Sequence, residues 1–177
     1  MIKAIAKLIV ALNGNVKASQ IAAGFAWGLL LALVPVGIIW VVLFIVSFFF
    51  KHNHASKLLV MAVFKLIGPL TAIPLDLLGW EILHIEALRP GLTVLYNTPL
   101  VPFTKFNNTL VAGGLAAGIV LWIPVYCITR ALIPLYRNTL APRIRESRFV
   151  KAVKKVPLIS SIAKAVSSLS DVHKAVN

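Results

Sequence analysis

Apolar positions crowd into three long stretches of the chain, with polar residues between them. The first, Ile21 to Phe50, is thirty residues without Asp, Glu, Lys, Arg or His. About 20 apolar residues suffice for a helix to cross a bilayer. As one straight helix this stretch would be roughly 45 Å long, against a hydrocarbon core of about 30 Å. It is too long for one upright crossing and short for two. Pro35 and Gly37 lie in its middle; proline removes a backbone donor and clashes with the preceding turn, so a break is expected there. The second stretch, 58–80, has the length of one crossing but contains Lys65, Gly68, Pro69, Pro74 and Asp76, so it is expected to be bent or broken. The third, 108–136, has Asn108 or Thr109 as its natural N-cap and carries Pro124 and Pro134 inside it.

The intervening segments are shorter and more polar. Ile2, Ile5, Ala6, Ile9 and Leu12 recur at helical spacing beside Lys3 and Lys7, which predicts an interfacial helix within residues 1–20. Its apolar run is too short for a signal peptide, so this end is expected to be retained. Ser19 is placed to cap the first long run. Residues 51–57 read as a solvated basic loop; His52 and His54 have no third ligand nearby, so no metal site is expected. The 81–107 segment carries the turn signal Arg89-Pro90-Gly91, and its 95–103 part shows no clean helical period. From 137 to 177 the chain is a basic tail. Arg143, Arg145, Arg148, Lys151, Lys154 and Lys155 precede Pro157, after which Ile159, Ile162, Val166 and Leu169 repeat at amphipathic helical spacing.

Composition agrees with the pattern. The 177 residues are 59% hydrophobic and 13% charged, with 18 Lys+Arg against five acids, whereas soluble domains are about 25% charged. The fold class expected is an all-α integral membrane protein. It comprises a broken or re-entrant helical hairpin (21–50), two transmembrane helices (58–80 and 108–136), and amphipathic N- and C-terminal helices. Residues 1–136 form its membrane domain. The bases flank apolar runs, so the partner they imply is the phospholipid membrane rather than nucleic acid. Three bases lie in the first twenty residues, two in 51–57 and nine from Arg137 onward, while the two of 81–105 are offset by Glu81 and Glu86. The positive-inside rule then puts both termini and 51–57 in the cytoplasm and 81–105 outside. Residues 21–50 must begin and end on one side, which favours a hairpin over a single kinked crossing.

Some residues stand out against this background. Gly24 and Gly28, and Gly114 and Gly118, are spaced to give smooth helix-packing faces. Lys65 and Asp76 are ionisable groups inside apolar sequence, about 16 Å apart along an unbroken helix and too far apart to pair. Lys65 is expected to snorkel to a headgroup, and Asp76 to cap or to meet Arg89 or Lys105. Cys127, the only cysteine, reads as a small packing residue.

The runs from Ile21 to Gly28, Leu33-Val34-Pro35, Tyr96-Asn97-Thr98-Pro99-Leu100 and Phe106-Asn107-Asn108-Thr109 together resemble a small bacterial inner-membrane family related to the domain-of-unknown-function 2062 group. The likeness covers roughly residues 1–150. Leu77 stands where that family's Leu-Asp-Pro would have its proline, which weakens a family-wide role for Asp76. The resemblance implies a bacterium with an outer membrane and a larger envelope protein as partner; it adds no chemistry.

No paired carboxylates, Ser-His-Asp grouping, phosphate-cradling loop or ligand cluster is present in the sequence, so no catalytic residue and no cofactor is expected. The leading expectation is a non-enzymatic inner-membrane subunit that packs with or docks a larger envelope protein, in lipid transport across the envelope. Its docking or polar site would comprise Lys65, Asp76, Tyr96, Asn97, Pro99, Asn107 and Asn108 beside the hairpin break. The alternative is a small transporter or channel, a homo-oligomer with its site at the broken helices. A third reading makes the tail a headgroup binder.

Overall fold

A computed structural model of the chain describes residues 16–140. The expected helix within 1–20 lies almost wholly outside the described residues. So does the tail beyond Leu140, with Arg143, Arg145, Arg148, Lys151, Lys154 and Lys155.

Charge-free sequence gives α1 (Ala18–Leu33) no polar face to turn outward, and it lies at the centre with Ile21, Ala22, Ala26 and Leu31 fully buried. It starts one residue before Ser19, and Lys17 at its N-cap makes no side-chain capping bond, so Ser19 is not the cap. The helix ends where Pro35 forbids continuation. After an extended turn through Val34 to Gly37, α2 (Ile38–Ser47) comes back along α1. Ile39, Trp40, Leu43 and Val46 of α2 pack on Trp27, Leu30 and Val34. Phe50 reaches Trp27, with ring centroids 5.2 Å apart, and Asn53 N–H donates to the Gln20 carbonyl at 2.9 Å. The two ends of the 21–50 stretch therefore meet at one end of the bundle. The arms are unequal, 16 and 10 residues, or about 24 and 15 Å.

Asn53 accepts the Ser56 N–H and caps α3 (His54–Leu66), which runs parallel to α1. At Ile67 the chain bends by 84° into α4 (Gly68–Leu83); Pro69 fits the first turn of α4, where its missing N–H costs nothing. The second apolar stretch is therefore two helices, and it begins earlier than its hydropathy indicates. The 3₁₀ turn Glu86–Leu88 leads into α5 (Arg89–Asn97) and a second 3₁₀ turn, Val101–Thr104. Arg89-Pro90-Gly91 opens a helix rather than a turn, for the same reason that Pro69 does. Asn108 caps α6 (Thr109–Leu135) by accepting the Val111 N–H. A π-helical turn, Tyr136–Leu140, closes the described chain.

α6 runs antiparallel to α1, with Gly114 on Leu33, Gly118 on Leu30, and Ile133 on Ile21 and Ala22. It also packs antiparallel to α4, where Gly79 meets Thr109 and Gly113 meets Leu75, backbone against backbone. Gly24 and Gly28 of α1 face Ser56, Lys57 and Val60 of α3. Small residues let helix backbones approach where a side chain would hold them apart. Cys127 is exposed and is not a packing residue.

All regular structure among the described residues is helical. One helix, Thr109–Thr139, with mean hydropathy 2.0, is long and apolar enough to cross a membrane; the bent α3–α4 pair makes a second if counted as one span.

Candidate functional site

The hairpin tip leaves the last carbonyls of α1 without helical partners, and an orphan carbonyl is costly wherever water is scarce. Trp40 donates its indole N–H to the Leu31 carbonyl at 2.8 Å. Lys65 donates its ammonium to the Val34 carbonyl at 2.7 Å. A cation at a helix C-terminus also meets the negative end of the helix dipole. Lys65 therefore closes the break in α1 instead of snorkelling, and it does so from the last turn of α3, just before the second break. Gly37 carries no close contact and an extended backbone, so Pro35 and not Gly37 dictates the break.

Asp76 does not meet Lys65, Arg89 or Lys105. It accepts the Thr109 hydroxyl at the start of α6, beside the Gly79 contact. The segment between α5 and α6 then folds over the tip. Two non-glycine residues in it are left-handed, Leu100 (φ 71) and Lys105 (φ 55), a conformation that costs L-residues about 1 kcal/mol or more. Between them the 3₁₀ turn places Leu100, Val101, Phe103 and Thr104 opposite Ile38, enclosing a cleft of about 640 Å³. Leu100 and Phe103 remain 77% and 69% exposed. Tyr96 packs on Phe106 at 6.5 Å between centroids; Asn97 ends α5, Pro99 follows it, and Asn107 is exposed next to the capping Asn108. The tip thus brings the break together with residues 100–104, while Asp76 sits apart at the α4–α6 crossing.

The opposite end holds groups that the sequence did not single out. Lys57 is fully buried. Its ammonium donates to the Ser47 hydroxyl at 2.8 Å and lies over the rings of Phe44 and Phe48, 4.6 and 4.2 Å from their centroids. Two aromatic faces and a hydroxyl stand in for water around the charge. The sequence sign was the spacing of Phe44, Ser47 and Phe48, which share one face of α2. His52 is also buried, at 8% exposure. The reading of 51–57 as a solvated loop is therefore corrected: from His54 it is helix, and two of its polar side chains are inside.

Burial lowers the His52 pKa from 6.5 to about 4, opposed by its Nδ1–H bond to the Phe50 carbonyl and aided by Lys57 and His54. His52 is neutral at physiological pH. Since the unfolded chain takes up the proton first, His52 contributes its full stability above pH 6.5 and loses it as pH falls toward 4, by at most about 1.4 kcal/mol per unit. Thermal melts from pH 7.5 to 4 should show this slope, and His52→Gln should flatten it. Parallel profiles for the two proteins would refute the assignment.

Among the described residues no cluster of three or more His, Cys, Asp or Glu side chains could hold a metal ion. Residues 4–140 match the family described as "Uncharacterized protein conserved in bacteria (DUF2062)". The chain is 34% identical over 159 residues, 89% of its own length and 98% of the relative's, to an "Uncharacterized protein" of Treponema pallidum (strain Nichols). No solved structure matches it.

Proposed function

Starting from the chain's membership of the bacterial DUF2062 family, we propose that it is a non-enzymatic, multi-pass inner-membrane subunit. It presents the tip of its hairpin to a larger envelope protein involved in moving lipid. Both termini are cytoplasmic in this reading, 21–50 enters and leaves the bilayer on the cytoplasmic side, and the cap at 86–108 faces outward. The observation that carries it is the tip cleft. Its walls are almost wholly apolar, its strained cap holds Leu100 and Phe103 out where a partner or an acyl chain can reach them, and the polar groups beneath it are engaged with one another. Exposed apolar surface ringed by polar groups marks an interaction site.

A photo-crosslinker at Leu100 or Phe103 in native membranes should trap one large protein, and the same probe at Ile128, exposed on the far part of α6, should trap lipid alone. Lipid alone from all three positions would end the docking proposal. Single cysteines at positions 15, 37, 54, 90 and 150, after replacement of Cys127, test the topology: only position 90 should label freely from outside, and labelling of 15 with 54 protected would make 21–50 a single crossing.

A second reading draws on the way Lys65 joins the two helix breaks. Discontinuous helices with backbone groups at depth are how transporters build sites. One copy has too few helices to enclose a path, so this reading needs a homo-oligomer. A monomer in mild detergent, with no flux in vesicles, excludes it.

A further inference from the structure

At the end where Gln20 and Asn53 meet, a second pocket of about 290 Å³ lies between α1, α6 and the α2–α3 connection. Its walls are aromatic. Trp27 contacts Phe50 and, edge-on, Trp122 at 6.4 Å, and Trp122 stacks on Tyr126 at 5.5 Å. Lys51, which is exposed, and Ser19, in the first turn of α1, complete the lining, and no acidic residue contributes to it. Two features of this pocket are unsatisfied. α1 begins without a capping side chain, so the positive end of its dipole and its first N–H groups are open. Trp27 is 8% exposed, and its indole nitrogen is buried with no hydrogen-bond partner. A buried donor normally has a partner.

We propose that this pocket binds the phosphate-bearing headgroup of an anionic phospholipid. An uncapped helix N-terminus, a lysine and a hydroxyl form an anion site. Aromatic rings beside them suit the boundary between headgroup and acyl chain, where tryptophan and tyrosine concentrate. A zwitterionic headgroup would bring a cation to a site that already carries Lys51 and the helix dipole, with no carboxylate to receive it. The inference rests on the membrane reading above, and it concerns the opposite end of the molecule from the docking cleft.

The test uses the full chain in vesicles of zwitterionic lipid doped with brominated lipid, which quenches tryptophan on contact. At equal mole fraction, brominated phosphatidylglycerol should quench at least about twofold more than brominated phosphatidylcholine. Lys51→Gln should remove the excess, Lys51→Arg should keep it, and Lys105→Gln, at the other end, should leave it unchanged. Equal quenching by the two lipids, or an excess that survives Lys51→Gln, overturns the site. Loss of the excess on adding millimolar glycerol 3-phosphate overturns the lipid assignment in favour of a soluble phosphoester. Quenching by neither lipid instead defeats the membrane reading itself, because Trp40 and Trp80 would then be out of contact with lipid as well.

Discussion

Gly113→Ala and Gly79→Ala are each expected to destabilise the protein by about 3 kcal/mol, as large as a single methyl group is expected to produce here. A Cβ on Gly113 would overlap the Leu75 carbonyl oxygen, and one on Gly79 would overlap that of Thr109. The obstacle in each case is backbone, which has no alternative rotamer. α4 and α6 must therefore separate along their whole contact, and the Asp76–Thr109 hydrogen bond lies on that seam. At about 2–4 °C per kcal/mol for a chain of this size, the melting temperature in detergent should fall by roughly 10 °C. Gly91→Ala supplies the contrast. Gly91 lies within α5 with open space around it, and replacing a helical glycine should be neutral or stabilising by up to about 1 kcal/mol. If all three variants melt together, close backbone approach is not what seats α4 on α6.

Lys65→Met is the second large effect. Methionine replaces the aliphatic stem but leaves the Val34 carbonyl with no donor, and an unsatisfied buried acceptor costs about 1–3 kcal/mol. Where lipid replaces water the upper end applies. Lys65→Arg retains a donor and should recover most of the loss. Trp40→Phe, which frees only the Leu31 carbonyl, should cost about 1 kcal/mol. Melting temperatures of the three variants check the order. A headgroup-seeking lysine would give a different result, with Lys65→Met close to neutral in detergent and sensitive to lipid charge in vesicles. The comparison thus separates a lysine that closes a helix break from one that snorkels.

The same feature bears on the docking proposal. With Leu31 and Val34 already satisfied from inside, the tip needs no partner for its backbone. What it leaves open is apolar side chain, at Leu100 and Phe103. A partner that binds here would do so by shape and apolar contact, with little dependence on salt. Headgroup binding at the other end would depend strongly on salt, because it rests on Lys51 and a helix dipole.

The local elements were legible from sequence where the cause is local. The long apolar run after Asn108 is α6, with that cap, because an Asn side chain reaches an N–H three residues on. The break in 21–50 falls at Pro35, because proline's ring clashes with the turn before it wherever the chain goes. The bend between α3 and α4 was signalled by Gly68 and Pro69, though not its 84° size. By contrast α5 was missed, since Arg89-Pro90-Gly91 fits a turn and a helix start equally well until its neighbours choose.

What only the tertiary structure decided is the fate of the polar groups. Sequence placed Lys57 in a wet loop and sent Lys65 toward headgroups, because a cation near an apolar run ordinarily finds water. Each instead meets a group from another helix: Phe44, Ser47 and Phe48 for Lys57, Val34 for Lys65. Those partners lie 10 and 31 residues away at their hydrogen bonds, outside the i, i+4 reach from which a helical pattern can be read. The sequence by itself determined that this chain is helical, where its long apolar segments run, and where proline interrupts them. The pairing of α1 with α3 and of α4 with α6 was settled by glycines meeting backbone across helices. Which buried charges survive was settled by donors and rings that only the folded chain brings together.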